Sequence, residues 1–429
     1  MNKYSTHTQF LDIWISKIPA HWQAHKMKHL FSERSEKGYP NEPLLVASQN
    51  MGVVPKNVYG NRTVEAQKDL HLLKLVRVGD FVISLRSFQG GLEYAYYQGI
   101  ISPAYTILSP HEPMSGSYFR YLAKSKPFIG LLTLCVTGIR EGQNIDYAKL
   151  KNHLLPVPPR EEQDQIVRFL DWKVSGINRL INIKQEQLRK VKELLDRLFR
   201  DTTSKCSKKV KIKYLFELDD DFFVPDASES YAKAGMYNRG RGIFLREPCL
   251  GNELGDSQFQ HIHSDRLMLS GQFAWEDAVY ITQEKDTHGI ASHRYYLLKP
   301  VRYIPVEYLW LYFLSGEGFF NLQQCSHGSA GRNRPLNIKE VLNLELPVPD
   351  DKEKANALNE LVRDYMRLQV ITEEEKKALL DFKTHLVADI VTGKIDVRGI
   401  EIPEYEFVDE DTDTGNEDGS EEETEEQED

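Results

Sequence analysis

Cysteine is scarce in this 429-residue chain. Its four residues, Cys135, Cys206, Cys249 and Cys325, lie far apart, with no C-x-x-C pair. That argues against a zinc ribbon or a disulfide scaffold and fits a reducing compartment. Long apolar runs are lacking too. The longest near-apolar stretch, Phe128 to Val136, spans nine residues, well short of the ~20 that cross a bilayer. The opening MNKYSTHTQF has no apolar signal core. A soluble, intracellular chain with no membrane partner is expected.

Enzyme signatures are missing as well. No G-x-x-x-x-G-K-[ST] loop occurs, and Thr392-Gly393-Lys394-Ile395 lacks both the upstream Gly and the hydroxyl residue. There is no N-P-P-[YF] motif of adenine methyltransferases. Gly240-x-Gly242 and Gly316-x-Gly318 have no third Gly in a strand–loop–helix. His261-x-His263 with Asp265 has no third ligand at a motif spacing, so it reads as a polar surface loop and no metal site is assigned. Glu374-x-Lys376 imitates half of a nuclease motif but lies in a helical stretch. No Ser or Cys nucleophile has a flanking motif. No catalytic residue is assigned, and the sequence reads as a binding protein.

What is present is a folded composition, 41% apolar and 10% aromatic, long enough for two or three domains. The net charge of −10 misleads. From Glu404 to Asp429 there are 15 acidic residues in 26 and no Lys or Arg, so residues 1–403 hold 49 acidic against 54 basic side chains, about +5. A mildly basic body with an acidic tail is compatible with a nucleic-acid partner.

The chain repeats itself with a period near 190. Lys26-Met27-Lys28-His29-Leu30-Phe31 returns as Lys211-Ile212-Lys213-Tyr214-Leu215-Phe216, an offset of 185. GIISPAYTILSP (Gly99 to Pro110) and GIASHRYYLLKP (Gly289 to Pro300) agree at six of twelve positions. Cys135-x-x-Gly138 matches Cys325-x-x-Gly328, and Leu155-Pro156-Val157-Pro158 matches Leu346-Pro347-Val348-Pro349. The matches are collinear, so two copies of one domain are expected, each leading into a helix. Asp80–Ser84 and Tyr105–Leu108 read as strands, and Tyr118–Leu122 and Tyr308–Leu314 as short helices. The fold class is α+β.

Between and after the copies the pattern turns helical. Glu161 to Arg200 has no Pro, and steps of four and three give Leu170, Val174, Ile177, Ile181, Lys184, Leu188, Val191, Leu195 and Leu198. This is a coiled-coil seam. Lys352 to Val391 carries a similar one through Leu358, Leu361, Tyr365, Leu368, Leu379, Phe382 and Leu386, interrupted at Thr372 and Glu375. Two such helices bury their seams by antiparallel pairing, which would bring Lys184 near Glu375. The domain reading is 1–158 first globular domain, 159–204 first long helix, 205–348 second globular domain, 349–398 second long helix, and 399–429 an acidic, disordered tail.

Two related domains on a helical pair resemble a dimer fused into one chain, and such a chain would read two different DNA half-sites with an unread spacer. The candidate readers are loops rich in bidentate side chains. In copy one they hold Arg86, Gln89, Arg140, Gln143 and Asn144; in copy two, Arg239, Arg241, Arg332, Asn333 and Arg334. Arg suits guanine edges, and Asn or Gln suits adenine. The competing expectation is a coiled-coil scaffold that binds protein and no DNA.

Three motifs make the likeness specific: Ile18-Pro19-x-x-Trp22, Leu155-Pro156-Val157-Pro158-Pro159-x-Glu161-Glu162-Gln163, and Val391-Thr392-Gly393-Lys394-Ile395-Asp396-Val397-Arg398. With the repeat, the chain resembles the specificity subunit of type I restriction–modification enzymes over residues 10–400. The resemblance implies two target-recognition domains separated by antiparallel helices, and a bipartite double-stranded DNA site. It also implies two docked methyltransferase subunits using S-adenosylmethionine and a motor-nuclease subunit using ATP and Mg. This chain would hold no cofactor and work in the cytoplasm of a prokaryote. Copy two departs from the pattern: Val348-Pro349-Asp350-Asp351-Lys352 lacks the Glu-Glu-Gln signature. The acidic tail is also outside the family pattern.

Overall fold

The structure is a computed structural model that describes residues 2–59, 69–85, 87–137, 144–204, 206, 208–238, 240, 242–255, 257–328, 334–349 and 352–409. The chain forms two compact units. Unit 1 comprises residues 1–183 and 374–429, and unit 2 comprises residues 184–373. The sequence-based boundaries give each long helix to itself; in the structure both long helices, Arg160–Thr203 and Lys352–Val391, contribute one part to each unit.

The units share a plan. In unit 1, strands β1 (Phe31–Arg34), β2 (Phe81–Ile83), β3 (Glu93–Tyr94) and β4 (Thr106–Pro110) form an antiparallel sheet in the order β1-β4-β2-β3. In unit 2, β5 (Phe216–Leu218), β6 (Leu267–Ser270), β7 (Val279–Ile281) and β8 (Tyr295–Pro300) take the equivalent order β5-β8-β6-β7. The strongest sequence match ends on β4 and β8, the second strand in each order. Each sheet is followed by two short helices, Gly116–Ala123 with Lys126–Leu134 and Val306–Leu314 with Gly316–Gln324. VEYLWLYFL, the third of these, is apolar all round because it is buried all round. In unit 1 the Phe119 ring lies 4.5 Å from Phe31, 4.8 Å from Phe81 and 5.6 Å from Phe128, so one aromatic cluster fastens helices to sheet.

Each copy is clipped shut where it meets its helix. Gln23–Lys26 pairs antiparallel with Leu154–Val157, and Lys208–Lys211 with Glu345–Val348. Entry and exit of each domain are therefore neighbours on one two-stranded ribbon.

Within unit 1 the first long helix buries Ile166, Phe169 and Leu170 in one cluster with Leu386, Ile390 and Val391 of the second, running antiparallel, and Ile177 and Ile181 are buried further along it. Val174 is half-buried. Within unit 2, Leu195 and Phe199 are buried and Leu188, Val191 and Leu198 half-buried, packing with Leu358, Val362 and Tyr365. The second helix departs from the expected seam. Leu361, Leu368 and Phe382 are 44%, 39% and 53% exposed, Leu379 is half-buried, and Thr372, read as an interruption, is buried. In unit 2 the reason is a third neighbour. Trp310 packs its ring 5.8 Å from Tyr365, and Arg363 Nε donates to the buried Glu307 at 2.5 Å. The domain's own helix thus rotates the buried face from Leu361 to Val362, a shift that a two-helix pattern does not contain.

The three motifs behind the resemblance converge in unit 1. The buried Glu162 carboxylate accepts from Tyr4 Oη at 2.5 Å and Trp22 Nε1 at 3.0 Å, and His21 Nε2 lies 2.7 Å away. Gln163, fully buried, accepts from Ser115 N and donates to the carbonyls of Pro113 and Pro158. Gly393 ends the second long helix at φ +75, and a Cβ there would lie 2.2 Å from Pro19 Cδ. It is a left-handed C-cap packed on the Ile-Pro-x-x-Trp segment. The Glu-Glu-Gln signature missing from copy two goes with a second difference in sequence. The sequence positions shifted by 185 from Tyr4, His21 and Trp22 hold Arg189, Cys206 and Ser207, so copy two lacks the partners of that glutamate as well as the glutamate itself.

The tail does not begin at residue 399. Gln165 Nε2 donates to the carbonyls of Val397 and Ile400, Ser175 Oγ donates to Glu406 O and accepts from Val408 N, and Asn178 Nδ2 donates to Val408 O. Residues 397–408 form a strap along the first long helix of unit 1, held through main-chain atoms and by Val397, Ile400 and Ile402, which pack into the unit 1 core. The remaining acidic residues, 410–429, lie outside the described residues. No helix among the described residues is long and apolar enough to cross a membrane.

Candidate nucleic-acid interface

Of the ten side chains read as DNA-contacting, Arg86, Arg140, Gln143, Arg239, Arg241, Arg332 and Asn333 lie outside the described residues. Gln89, Asn144 and Arg334 are described, and all three are exposed.

In unit 1 Gln89 sits on a single helical turn, Ser87–Gly90, that follows β2. Ser87 Oγ starts the turn by accepting from Ser84 N at 2.8 Å. Lys124 fixes its end: Nζ donates to Gly90 O at 2.9 Å, Gln49 O at 3.0 Å and Glu93 Oε2 at 2.6 Å. Glu93 is fully buried, and burial pushes its carboxyl up to about 7 against the opposing charge of Lys124. The turn packs on Lys126–Leu134 and on the strand Asn144–Ile145, which pairs with Val136–Thr137. Two loops picked out separately in the sequence, those of Gln89 and Asn144, are therefore neighbours.

The base of the second loop is built alike in both copies. Asp146 N donates to Cys135 O at 2.9 Å, and Asn337 N to Cys325 O at 2.8 Å. Asp146 and Asn337 each cap the helix that follows, accepting from Lys149 N and Lys339 N. Cys135 and Cys325 are buried, and burial raises both thiols, Cys325 to about 11, so they serve packing.

In unit 2 the loops meet through the turn Gly271–Asp277. Gly271 O accepts from Leu336 N at 2.8 Å at the base of the loop preceding Asn337, and the Arg334 guanidinium lies over the Trp275 ring at 4.9 Å. At the other end Asp277 O accepts from Gly240 N at 2.7 Å, and Asn238 donates to Glu276. Both long helices hold the same node: Lys192 Nζ reaches Asp277 Oδ2 at 3.1 Å, and Gln369 Nε2 donates to Gly240 O at 2.9 Å.

Trp275 escaped the sequence reading. Counted at an offset of 186 it stands where Gln89 stands in copy one, after the homologous strand and before a positive-φ residue, Gly91 in one copy and Asp277 in the other. That stretch lies between the matched blocks, and the two turns share no identical residue to betray the alignment. Lys124 and Gln369 escaped because they act on main-chain carbonyls, and Lys192 because its partner Asp277 lies 85 residues away in sequence.

His261 and His263 do not join Asp265. They face Asp221 and Asp219 at 3.1 and 3.0 Å, and Phe223 stacks on His261 at 4.1 Å. Among the described residues no group of three or more His, Cys, Asp or Glu is arranged to hold a metal.

One solved structure superposes at TM-score 0.57 over 88% of this chain and 99% of its own, at 11% identity; its subject is the assembly and conformational transition of the type I R-M system. The chain has the fold of a type I R-M subunit. Two further structures cover similar shares. The HsdS subunit from Thermoanaerobacter tengcongensis matches at TM-score 0.41 and 11% identity, over 88% of this chain and 98% of its own. The type I restriction-modification system S subunit from M. genitalium matches at 0.40 and 14%, over 90% and 98%. No protein-family model and no curated protein matches the chain.

Proposed function

We propose that this chain is the sequence-reading subunit of a type I restriction–modification complex, with each unit reading one half of a bipartite double-stranded DNA site. The observation that carries this reading is the pairing of loops. In unit 1 the loops of Gln89 and Asn144, chosen independently for their Arg, Asn and Gln content, lie against one another; in unit 2 Gly240 and Arg334, from the two chosen loops, are both held by the turn Gly271–Asp277, the equivalent of the Gln89 turn. Such residues can address base edges in a major groove, with Arg gripping guanine and Asn or Gln adenine. The type I R-M fold supports the same reading.

The helical pair sets the distance between half-sites and docks methyltransferase subunits, and a motor-nuclease subunit completes the assembly. Exposed apolar side chains suit docking: Leu180, Ile183 and Phe382 in unit 1, and Leu361, Leu368 and Ile371 in unit 2. The chemistry, with S-adenosylmethionine, ATP and Mg, belongs to those partners; this chain binds and does not catalyse.

The test is a nuclease-protection footprint on DNA selected by the full chain from a random pool. Two protected patches with an open spacer are expected. One continuous patch, or none at any salt concentration, would reject the reading in favour of a protein-binding scaffold.

A further inference from the structure

We infer that Trp275 is a specificity-positioning residue of unit 2: it stacks the Arg334 guanidinium so that the in-plane N–H fork is presented to a base edge. The inference rests on the DNA-reading role proposed above and adds a residue and a geometry to it.

Three observations lead there. First, Trp275 is itself fixed. Its Nε1 donates to Gln272 O at 3.0 Å, and the turn that carries it is tied to Leu336, Gly240 and Lys192. Second, the guanidinium lies over the indole at 4.9 Å, and among the described residues nothing accepts a hydrogen bond from it. A contact of this kind takes up no hydrogen-bond donor, so the five N–H groups of the guanidinium stay available to an acceptor pair such as guanine O6 and N7. Third, the position is equivalent to Gln89, which the sequence marks as a candidate reader on independent grounds. The two copies thus use one scaffold position differently: a polar side chain in copy one, and an aromatic platform for a neighbouring loop's arginine in copy two.

A flexible arginine must be ordered when it grips a base, and a platform that orders it beforehand reduces that cost. The gain appears as discrimination between bases rather than as uniform affinity. A stack of this kind corresponds to roughly a three- to tenfold effect.

The experiment measures binding of the full chain to its selected DNA and to a panel with each half-site position varied, for the parent, Trp275→Ala, Trp275→Phe and Arg334→Ala. Trp275→Ala and Arg334→Ala are expected to relax discrimination at the same base position of one half-site. Trp275→Ala should lose about three- to tenfold there, and Trp275→Phe should recover part of it. The other half-site should be unchanged, and discrimination at the remaining positions of the same half-site should persist, which shows that unit 2 folds in the variants. Three results would overturn the inference. If Arg334→Ala relaxes discrimination and Trp275→Ala does not, positioning is wrong while loop reading stands. If both weaken every sequence equally, the pair anchors the backbone. If Arg334→Ala changes nothing, this loop does not read DNA, and the broader assignment loses its support in unit 2.

Discussion

Trp22 and Glu162 meet across 140 residues of chain, indole Nε1 to carboxylate oxygen at 3.0 Å. Through that bond the N-terminal hook holds the first turn of the first long helix. Removing the carboxylate leaves the donors of Tyr4 and Trp22 buried without an acceptor. Such orphaned donors cost about 1–3 kcal/mol each. Glu162→Ala should therefore destabilise unit 1 by roughly 2–4 kcal/mol, read as a lower urea midpoint for fluorescence of unit 1 tryptophans. A loss of stability under about 0.5 kcal/mol, from the midpoint shift and the slope, would mean the hook is ornamental.

Two glycines of the long helices make opposite predictions. Gly393 has φ +75 and no room for a Cβ beside Pro19. Gly393→Ala should cost more than ~1 kcal/mol. Gly176 lies inside the first long helix with nothing within 4 Å of an added Cβ. Gly176→Ala should stabilise by about 0.5–1 kcal/mol. Thermal unfolding of the two variants side by side checks both signs.

Much of this fold is legible in the sequence because the repeat is collinear and rests on packing residues: the match ending at Pro110 and Pro300 falls on equivalent strands of the two sheets. The face of the second long helix is not legible, since heptad stepping assumes a single partner and Tyr365 has two. The strap of residues 397–408 is hidden for another reason. It leads straight into the acidic run from Asp409, and its anchors, Gln165, Ser175 and Asn178, bind main-chain atoms that any sequence supplies. At the candidate interface, the sequence singles out the loops of Gln89 and Asn144, but their contact, like the stacking of Arg334 on Trp275, needs the fold.

Glu93 gives unit 1 a pH dependence. Its carboxyl rises from 4.5 to about 7 through burial, and one of its oxygens has no hydrogen-bond partner. An acid whose folded pKa lies above its unfolded value holds its proton more tightly when folded. The stability it contributes is full below about pH 4.5 and is lost as pH rises through about 7. The span is on the order of 3 kcal/mol at ~1.4 kcal/mol per pKa unit. Urea unfolding at pH 5 and pH 8 should show the parent losing stability with rising pH and Glu93→Gln losing much less. Equal slopes would refute this assignment.

Ending the chain after residue 403 removes the main-chain partners of Ser175 and Asn178, whereas ending it after residue 409 keeps them. The shorter chain should lose about 1–2 kcal/mol of unit 1 stability, and the longer one should keep it. If the acidic residues screen the basic body, both truncations should raise affinity for random-sequence DNA, most at low salt. Sequence preference should stay as it was. These outcomes are read by thermal unfolding and by a salt titration of DNA binding.

The central claim is that each unit reads its own half-site, and the strand ribbons show where to cut. Residues 27–153 enter and leave between Gln23–Lys26 and Leu154–Val157, so they can be exchanged for the equivalent span of another type I specificity subunit while Tyr4, Trp22 and Glu162 stay in place. The measurement is selection of bound DNA from a random pool by the parent and the exchanged chain, each with its methyltransferase partners. The account predicts that one half-site changes to that of the donor while the other half and the spacer length persist. A change in both halves, or in neither, would contradict it.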